Sequence, residues 1–275
     1  MRIRLVHSTR YRYSPPAKGA IQLLRLTPRS HETQHVRFWR IEIDRDCVMK
    51  ASEDFLGNVT HGFNVEGPLV ELSIAVEGEV DVDEGSGVVR GTPEPFPPTL
   101  FLRETALTCP SSEIRAMALE TSRQAGGDRL AMLHALMSRL HDGMTFEPEV
   151  TDAGTSAAQA FALGHGVCQD FAHVYLAAAR CCGVPARYVS GYLLRDDGRT
   201  SQQAGHAWVE AHVEGLGWVG FDPANGVCPS ENYLRIAVGM DYLGAAPVRG
   251  ARQGGGDESL TVHIEVANAS RQSQS

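Results

Sequence analysis

The sequence predicts an α+β protein in which an all-β, sandwich-like region leads and a region of helices followed by further strands comes after it. Three observations carry this. Apolar and polar residues alternate through the first 90 or so positions, prolines crowd positions 92–99, and helical periodicity begins only beyond them. At 275 residues the chain suits two modest domains, each able to bury a core. The expected division is 1–98 and 99–275.

Over residues 70–82 apolar side chains recur at every second position: Val70, Leu72, Ile74 and Val76, then Val80 and Val82 after Gly78. That period puts one face on a core and leaves Glu71, Glu77, Glu79 and Asp81 in water. Val36, Phe38, Ile41 and Ile43 mark another strand, with a break near Trp39 that reads as a bulge. Short strands separated by Gly, Asn and Asp turns suggest an antiparallel sandwich or barrel. The four prolines of 92–99 remove backbone donors and fix φ, so that stretch reads as a connection between domains.

Ser111 or Ser112 then caps a helix carrying Ile114, Met117 and Ala118 on one face, and Gly126-Gly127 stops it. Asp128 caps the next, with Leu130, Leu133, Met137 and Leu140 as its apolar stripe and Gly143 as its stop. A third, Ala-rich helix is expected around residues 155–163, ending at Gly164. A fourth, over 168–182, is apolar almost all round, which marks a buried helix. From Ala186 the pattern returns to strands. The polar tail 270–275 is expected to be disordered.

Composition excludes several functions. The chain is 43% apolar and 21% charged, as in ordinary globular proteins. A net charge of −8 with scattered basic residues argues against nucleic acid or an anionic membrane as a dedicated partner. Arg10 and Arg12, flanking Tyr11, read as a solvated strand face. No apolar run approaches the roughly 20 residues of a membrane span, and the first residues lack a signal peptide's apolar stretch. A cytoplasmic location is therefore expected. The six cysteines, at 47, 109, 168, 181, 182 and 228, describe neither a disulfide framework nor a zinc site. His165, Cys168 and His173 lack a fourth ligand, and His31 and His35 read as solvated, so no metal and no cofactor is expected. Gly254-Gly-Gly256 lacks the lysine and helix of a phosphate loop and reads as a turn.

The chemistry-bearing residues lie further along. Cys168 follows Gly164-His-Gly-Val at the first turn of the buried helix. A thiol there meets the positive end of the helix dipole and free N–H groups, which favour thiolate and can also stabilise an oxyanion. A structural cysteine is the bland alternative. Gly205-His-Ala-Trp-Val-Glu-Ala-His-Val213 and Gly217-Trp-Val-Gly-Phe-Asp222 both alternate as strands, and the turn between them makes a hairpin. With residues 213–215 as the turn, 206 stands opposite 222, close enough for the carboxylate to orient the imidazole. Singly, His206 reads as a sheet histidine and Asp222 as a turn residue. Jointly, the three point to nucleophilic catalysis, with Cys168, His206 and Asp222 as the catalytic residues.

Gly-Val-Cys168-Gln-Asp-Phe-Ala-His, Val-Pro-Ala-Arg-Tyr-Val-Ser-Gly-Tyr192, Gly-His206-Ala-Trp-Val-Glu and Gly-Trp-Val-Gly-Phe-Asp222-Pro-Ala-Asn-Gly resemble bacterial members of the transglutaminase-like superfamily. The motifs span about residues 155–245, and the leading β region is similar to the accessory domain these proteins carry. The resemblance implies a papain-like core of helices packed on an antiparallel sheet. It also implies that Cys168 attacks a peptide or carboxamide carbonyl, His206 moves the proton and Asp222 orients His206. A thioester would then pass to water or an amine. Trp208, Gly166 and Gln169 are the expected substrate-binding residues, although Trp208 and Trp218 suit packing equally well. Two departures from the family pattern, His165 and the stretch Asn232-Tyr-Leu-Arg235, are expected to stand clear of the triad and to bear on substrate choice.

The expected function is a cysteine peptidase or amidase acting on a peptide or protein substrate. The alternatives are a protein-glutamine amine transferase and a non-catalytic binding module of the same fold. Three roles are open to the N-terminal domain: docking substrate, forming a homo-oligomer, or covering the catalytic domain.

Overall fold

The computed structural model describes residues 1–269, so the tail expected to be disordered lies outside the described residues. In chain order the elements are β1 (Arg2–Thr27), β2 (Gln34–Ile43), β3 (Lys50–Glu53), β4 (Val59–Val82) and β5 (Val88–Val89). A 3-10 turn, Pro98–Leu102, then leads to α1 (Ser112–Gln124), α2 (Arg129–Gly143), β6 (Thr145–Phe146), α3 (Ala157–Leu163) and β7 (His165–Gly166). They are followed by α4 (Cys168–Cys181), β8 (Ala186–Leu193), β9 (Ser201–Gln202), β10 (His206–Val213), β11 (Gly217–Phe221) and β12 (Tyr233–Gly239). The chain closes with α5 (Tyr242–Ala245), β13 (Val248–Gly254) and β14 (Asp257–Asn268). The α+β class read from the sequence is the class observed.

The leading β region is antiparallel throughout, as expected. It is one seven-stranded antiparallel sheet, ordered β2-β4-β1-β14-β9, with β13 on β1 and β3 on β4. The long strands β1 and β4 run through its whole length, but their register breaks between Arg12 and Ala17. Pro15 and Pro16 stand in that break and donate no ladder hydrogen bond. Beyond it β1 exchanges β14 for β13 as its second neighbour. The break also resets the alternation, so that Leu69 is buried while Val70 is 61% exposed. The bulge in β2 falls between Val36 and Phe38, a residue or two before the expected place. Arg10 and Arg12 pair with Glu71 on the solvated face.

The sheets do not divide at residue 98. β13 and β14 return from the C-terminal end to the first sheet, and β5 pairs with β11 in the second. Pairing between chain ends leaves no trace in local periodicity. The glycine run 254–256 makes the turn between β13 and β14, with Gly254 and Gly255 at positive φ.

The second sheet, ordered β12-β8-β10-β11-β5, is buried on both faces. Ala207, Val209 and Ala211 of β10 join the core that contains Phe171, Val174 and Leu176 of α4. Trp208 faces the other way, into a smaller core with Trp218, Tyr233, Leu56 and Phe101. The helix caps follow the sequence: Ser111 accepts from Ile114 N–H, Asp128 from Ala131 N–H, and α3 ends on left-handed Gly164. On the smaller core's side of the sheet Glu210 is fully buried between Arg187 and Arg235, at 2.6 and 2.7 Å. Burial opposes its charge, but the two guanidiniums override this and hold its carboxyl down to about 2.

Candidate active site

The setting of Cys168 begins with the end of α3. Gly164 (φ 72) turns the chain into β7, which pairs in parallel with β6, and Val167 then caps α4 in extended conformation. Cys168 is the first helical residue and is partly exposed. The N–H groups of Asp170 and Phe171 bond to the Val167 carbonyl at 2.8 and 3.2 Å. The N–H groups of Cys168 and Gln169 fall in the first turn of α4, where the helix itself supplies no acceptor. All six cysteines are free thiols.

His206 opens β10, and Asp222 follows β11. The turn between them is longer than expected: Val213 pairs with Gly217 and His212 with Trp218, so the register is displaced by two residues. Residue 206 thus does not face 222 directly. The contact forms across the diagonal, because the chain bends after Phe221 into the turn beginning at Asp222. His206 Nε2 lies 2.6 Å from Asp222 Oδ2, and the carboxylate is fully buried. The same imidazole hydrogen-bonds the Cys168 thiol, so it stands between sulfur and carboxylate.

Asp222 holds its charge in the interior because both oxygens are surrounded by donors. Oδ1 accepts the N–H groups of Ala224 and Asn225 at 3.0 and 3.2 Å. Oδ2 accepts His206, Asn225 Nδ2 at 2.7 Å and the Tyr233 hydroxyl at 2.8 Å. Burial alone would raise its pKa, but these bonds and the His206 charge hold it below the ordinary carboxylate value. Burial would likewise lower His206, yet its bonds to Asp222 and Cys168 and their negative charges push it up to about 10. Such an arrangement favours the imidazolium form of His206.

The stretch expected to stand clear of the triad therefore reaches it. The Tyr233 hydroxyl grips Asp222, and its ring packs edge-on against Trp208, centroids 5.4 Å apart. Trp208, expected to bind substrate, is buried in the smaller core and stacks near His206, centroids 6.1 Å apart. Trp218 is buried in the same core. Gly166 is buried too, and a Cβ there would lie 2.6 Å from Asp170 Oδ2. Of the three expected binding residues only Gln169, at the second position of α4, is partly open, with its amide 3.5 Å from the Asp152 carbonyl.

His165 pairs with Glu147 at 2.7 Å, and buried His173 accepts the Tyr242 N–H, so neither turns toward a shared metal. Among the described residues no group of three or more His, Cys, Asp or Glu side chains is arranged to hold one. Among them, too, no helix is long and apolar enough to cross a membrane. His35 is exposed, whereas His31 is half-buried beside Arg235. Tyr233, Asn225 and Asp170 escaped the sequence reading. The turn motif Asp222-Pro-Ala-Asn-Gly and an acidic residue in the first turn of α4 were the signals available for the last two.

Residues 115–223 match the transglutaminase-like superfamily, and residues 3–81 match the bacterial transglutaminase-like N-terminal region. An uncharacterized protein of Mycobacterium leprae (strain TN) is 31% identical over 283 residues, covering 96% of this chain and 98% of its own length. A protein-glutamine gamma-glutamyltransferase of Pseudomonas aeruginosa is 33% identical over 154 residues, 51% of this chain but 23% of that protein. In fold, the crystal structure of a "Putative Cysteine Protease" from Cytophaga hutchinsonii superposes with a TM-score of 0.77 at 19% identity, over 98% of this chain and 91% of that one. The chain belongs to the transglutaminase-like superfamily and carries the N-terminal region of its bacterial branch.

Proposed function

We propose that the protein is a thiol acyl-transfer enzyme in which Cys168 is the nucleophile, His206 the proton carrier and Asp222 the residue that orients His206. One observation carries the reading: a single imidazole bonds a thiol at a helix N-terminus on one side and a fully buried carboxylate on the other. A structural histidine needs neither a reactive group beside it nor a five-donor carboxylate behind it.

In the first step the Cys168 thiolate attacks the carbonyl carbon of a peptide or carboxamide. The oxyanion meets the N–H groups of Cys168 and Gln169. His206 gives its proton to the departing amine, leaving a thioester on Cys168. Water, or an amine in a transferase, then attacks with His206 as base, and the thiol is released. Hydrolysis is the preferred second half and makes the protein a peptidase or amidase. Transfer to an amine is the alternative, favoured by the similarity of half the chain to a protein-glutamine gamma-glutamyltransferase.

The test is competitive alkylation. At neutral pH iodoacetamide should modify Cys168 far faster than the other five cysteines. Cys168→Ala should abolish turnover of peptide or amide substrates. A Cys168 no more reactive than a free peptide thiol would end the acyl-transfer reading and leave a binding module.

A further inference from the structure

We infer that Asp170 is a positioning residue for the reaction: it ties the 147–155 loop to the first turn of α4 and thereby aims the N–H groups that receive the oxyanion. The inference rests on the acyl-transfer reading and concerns the half of the site that the triad leaves unassigned.

Asp170 is fully buried, two residues beyond the nucleophile. Its Oδ2 accepts the Val167 N–H at 2.8 Å and the Thr151 hydroxyl at 2.6 Å. The first bond fixes the peptide that enters the helix at Cys168. The second reaches across to the 147–155 loop, which also touches this turn through the Asp152 carbonyl and Gln169, and through Glu147 N–H and the Gly166 carbonyl at 2.9 Å. Gly166 completes the arrangement, since any side chain there would collide with the Asp170 carboxylate.

A second feature separates this carboxylate from an ordinary helix cap. Oδ1 is buried and has no hydrogen-bond partner among the described residues. An unpaired buried acceptor is costly, and caps are normally placed where water meets the second oxygen. Burial also raises the group's pKa, against the Thr151 and Val167 bonds that lower it. Placement beside the nucleophile is the reason we find for keeping a carboxylate here. Rigid alignment of two backbone donors matters most when a tetrahedral oxyanion forms, because the developing charge then sits on an oxygen that both must reach at once.

Alkylation and acylation of the same sulfur separate this role from a merely structural one, because iodoacetamide creates no oxyanion and an ester does. The experiment compares single-turnover acylation by p-nitrophenyl acetate with alkylation by iodoacetamide in the full chain. Asp170→Ala should slow acylation roughly 100-fold, the scale of a misplaced reacting group. Asp170→Asn keeps an acceptor for Val167 and Thr151 and should recover most of the rate. Thr151→Val, which cuts only the loop tether, should fall between wild type and Asp170→Ala. In all three, Cys168 should alkylate within about threefold of the wild-type rate, since helix dipole and His206 are untouched.

Acylation unchanged in Asp170→Ala, or both reactions slowed in parallel, would overturn the proposal. If Asp170→Ala does not fold, Thr151→Val and Asp170→Asn carry the same comparison. A wild-type protein that alkylates rapidly but gives no ester burst would instead sink the acyl-transfer reading, and this inference with it.

Discussion

Replacing Tyr233 by phenylalanine removes one hydrogen bond from the carboxylate bonded to His206 and leaves almost everything else in place. The ring keeps its edge-on contact with Trp208 and its packing 5.8 Å from the His206 ring centroid. Asp222 Oδ2 loses the hydroxyl at 2.8 Å but retains His206 and Asn225, and Oδ1 retains both backbone donors. A hydrogen bond to a charged group contributes about 1.5–3 kcal/mol, and no partner is orphaned here, so the expected cost is the lower end, about 1.5 kcal/mol. That cost falls on the ionised form of Asp222, and at 1.36 kcal/mol per pKa unit it should raise the carboxyl by about one unit. A more basic carboxylate with one donor fewer holds the imidazolium more firmly, so the His206 pKa should rise further. Urea unfolding at pH 7 reads the stability, and the 15N shifts of the His206 ring read the titration. A Tyr233→Phe protein with wild-type stability and an unmoved His206 titration would refute the view that this hydroxyl supports the triad.

Three further outcomes are expected. Folded His206 holds its proton up to about 10 against an ordinary 6.5, so stability is fully present below pH 6.5 and declines as pH rises toward 10. Urea midpoints measured across that window should fall more steeply in wild type than in His206→Gln, and equal slopes would contradict the assignment. Glu210→Ala takes the shared carboxylate from Arg235 and leaves buried Arg187 with the more exposed Glu94, and should cost about 3–5 kcal/mol in urea unfolding; a loss under about 1 kcal/mol would show that the cluster supports nothing. Ending the chain at Gly256 removes β14, the partner of β1 from Ile3 to Ser14 and of β9. Such a protein should lose the enhanced alkylation of Cys168 together with its stability, and a shortened chain of full reactivity would show that the C-terminal strand is dispensable to the site.

What the sequence made legible was whatever depends on neighbours along the chain. Ser111, Asp128 and Gly164 announced helix ends because caps are chosen within three residues of the backbone they satisfy. The all-round apolar character of α4 announced its burial for the same reason. The hairpin of β10 and β11 was legible, but its register was not. The expected turn ends at residue 215, whereas Gly215 and Gly217, both at positive φ, place Leu216 within it. Trp208 illustrates a second limit: alternation correctly put it on the face of His206 and Glu210, yet nothing local said that Leu56 and Phe101 would cover that face. Tyr233 was invisible for the same reason, since its role is defined by a carboxylate eleven residues away on a different element.

That covering explains how a histidine on the face turned away from α4 still meets the thiol at the start of α4. His206 is the first residue of β10, at the mouth of the sheet, where a side chain can reach around the strand end toward α4. Further along the same face the positions are closed off, and they hold Trp208 and the Arg-paired Glu210 instead. The segment feeding His206 is fixed from the other sheet, since β9 pairs with β14 at Gln202 and Ser201, and Val266 N–H bonds to the Thr200 carbonyl at 2.9 Å. Buried His7 of β1 bonds the Tyr192 hydroxyl at 2.6 Å, tying the first sheet to the end of β8, beside Gly205. The first sheet is thus more than a neighbour of the site. It holds the entry to β10 from one side while Asp222 holds the imidazole from the other, and the geometry of Cys168, His206 and Asp222 depends on both.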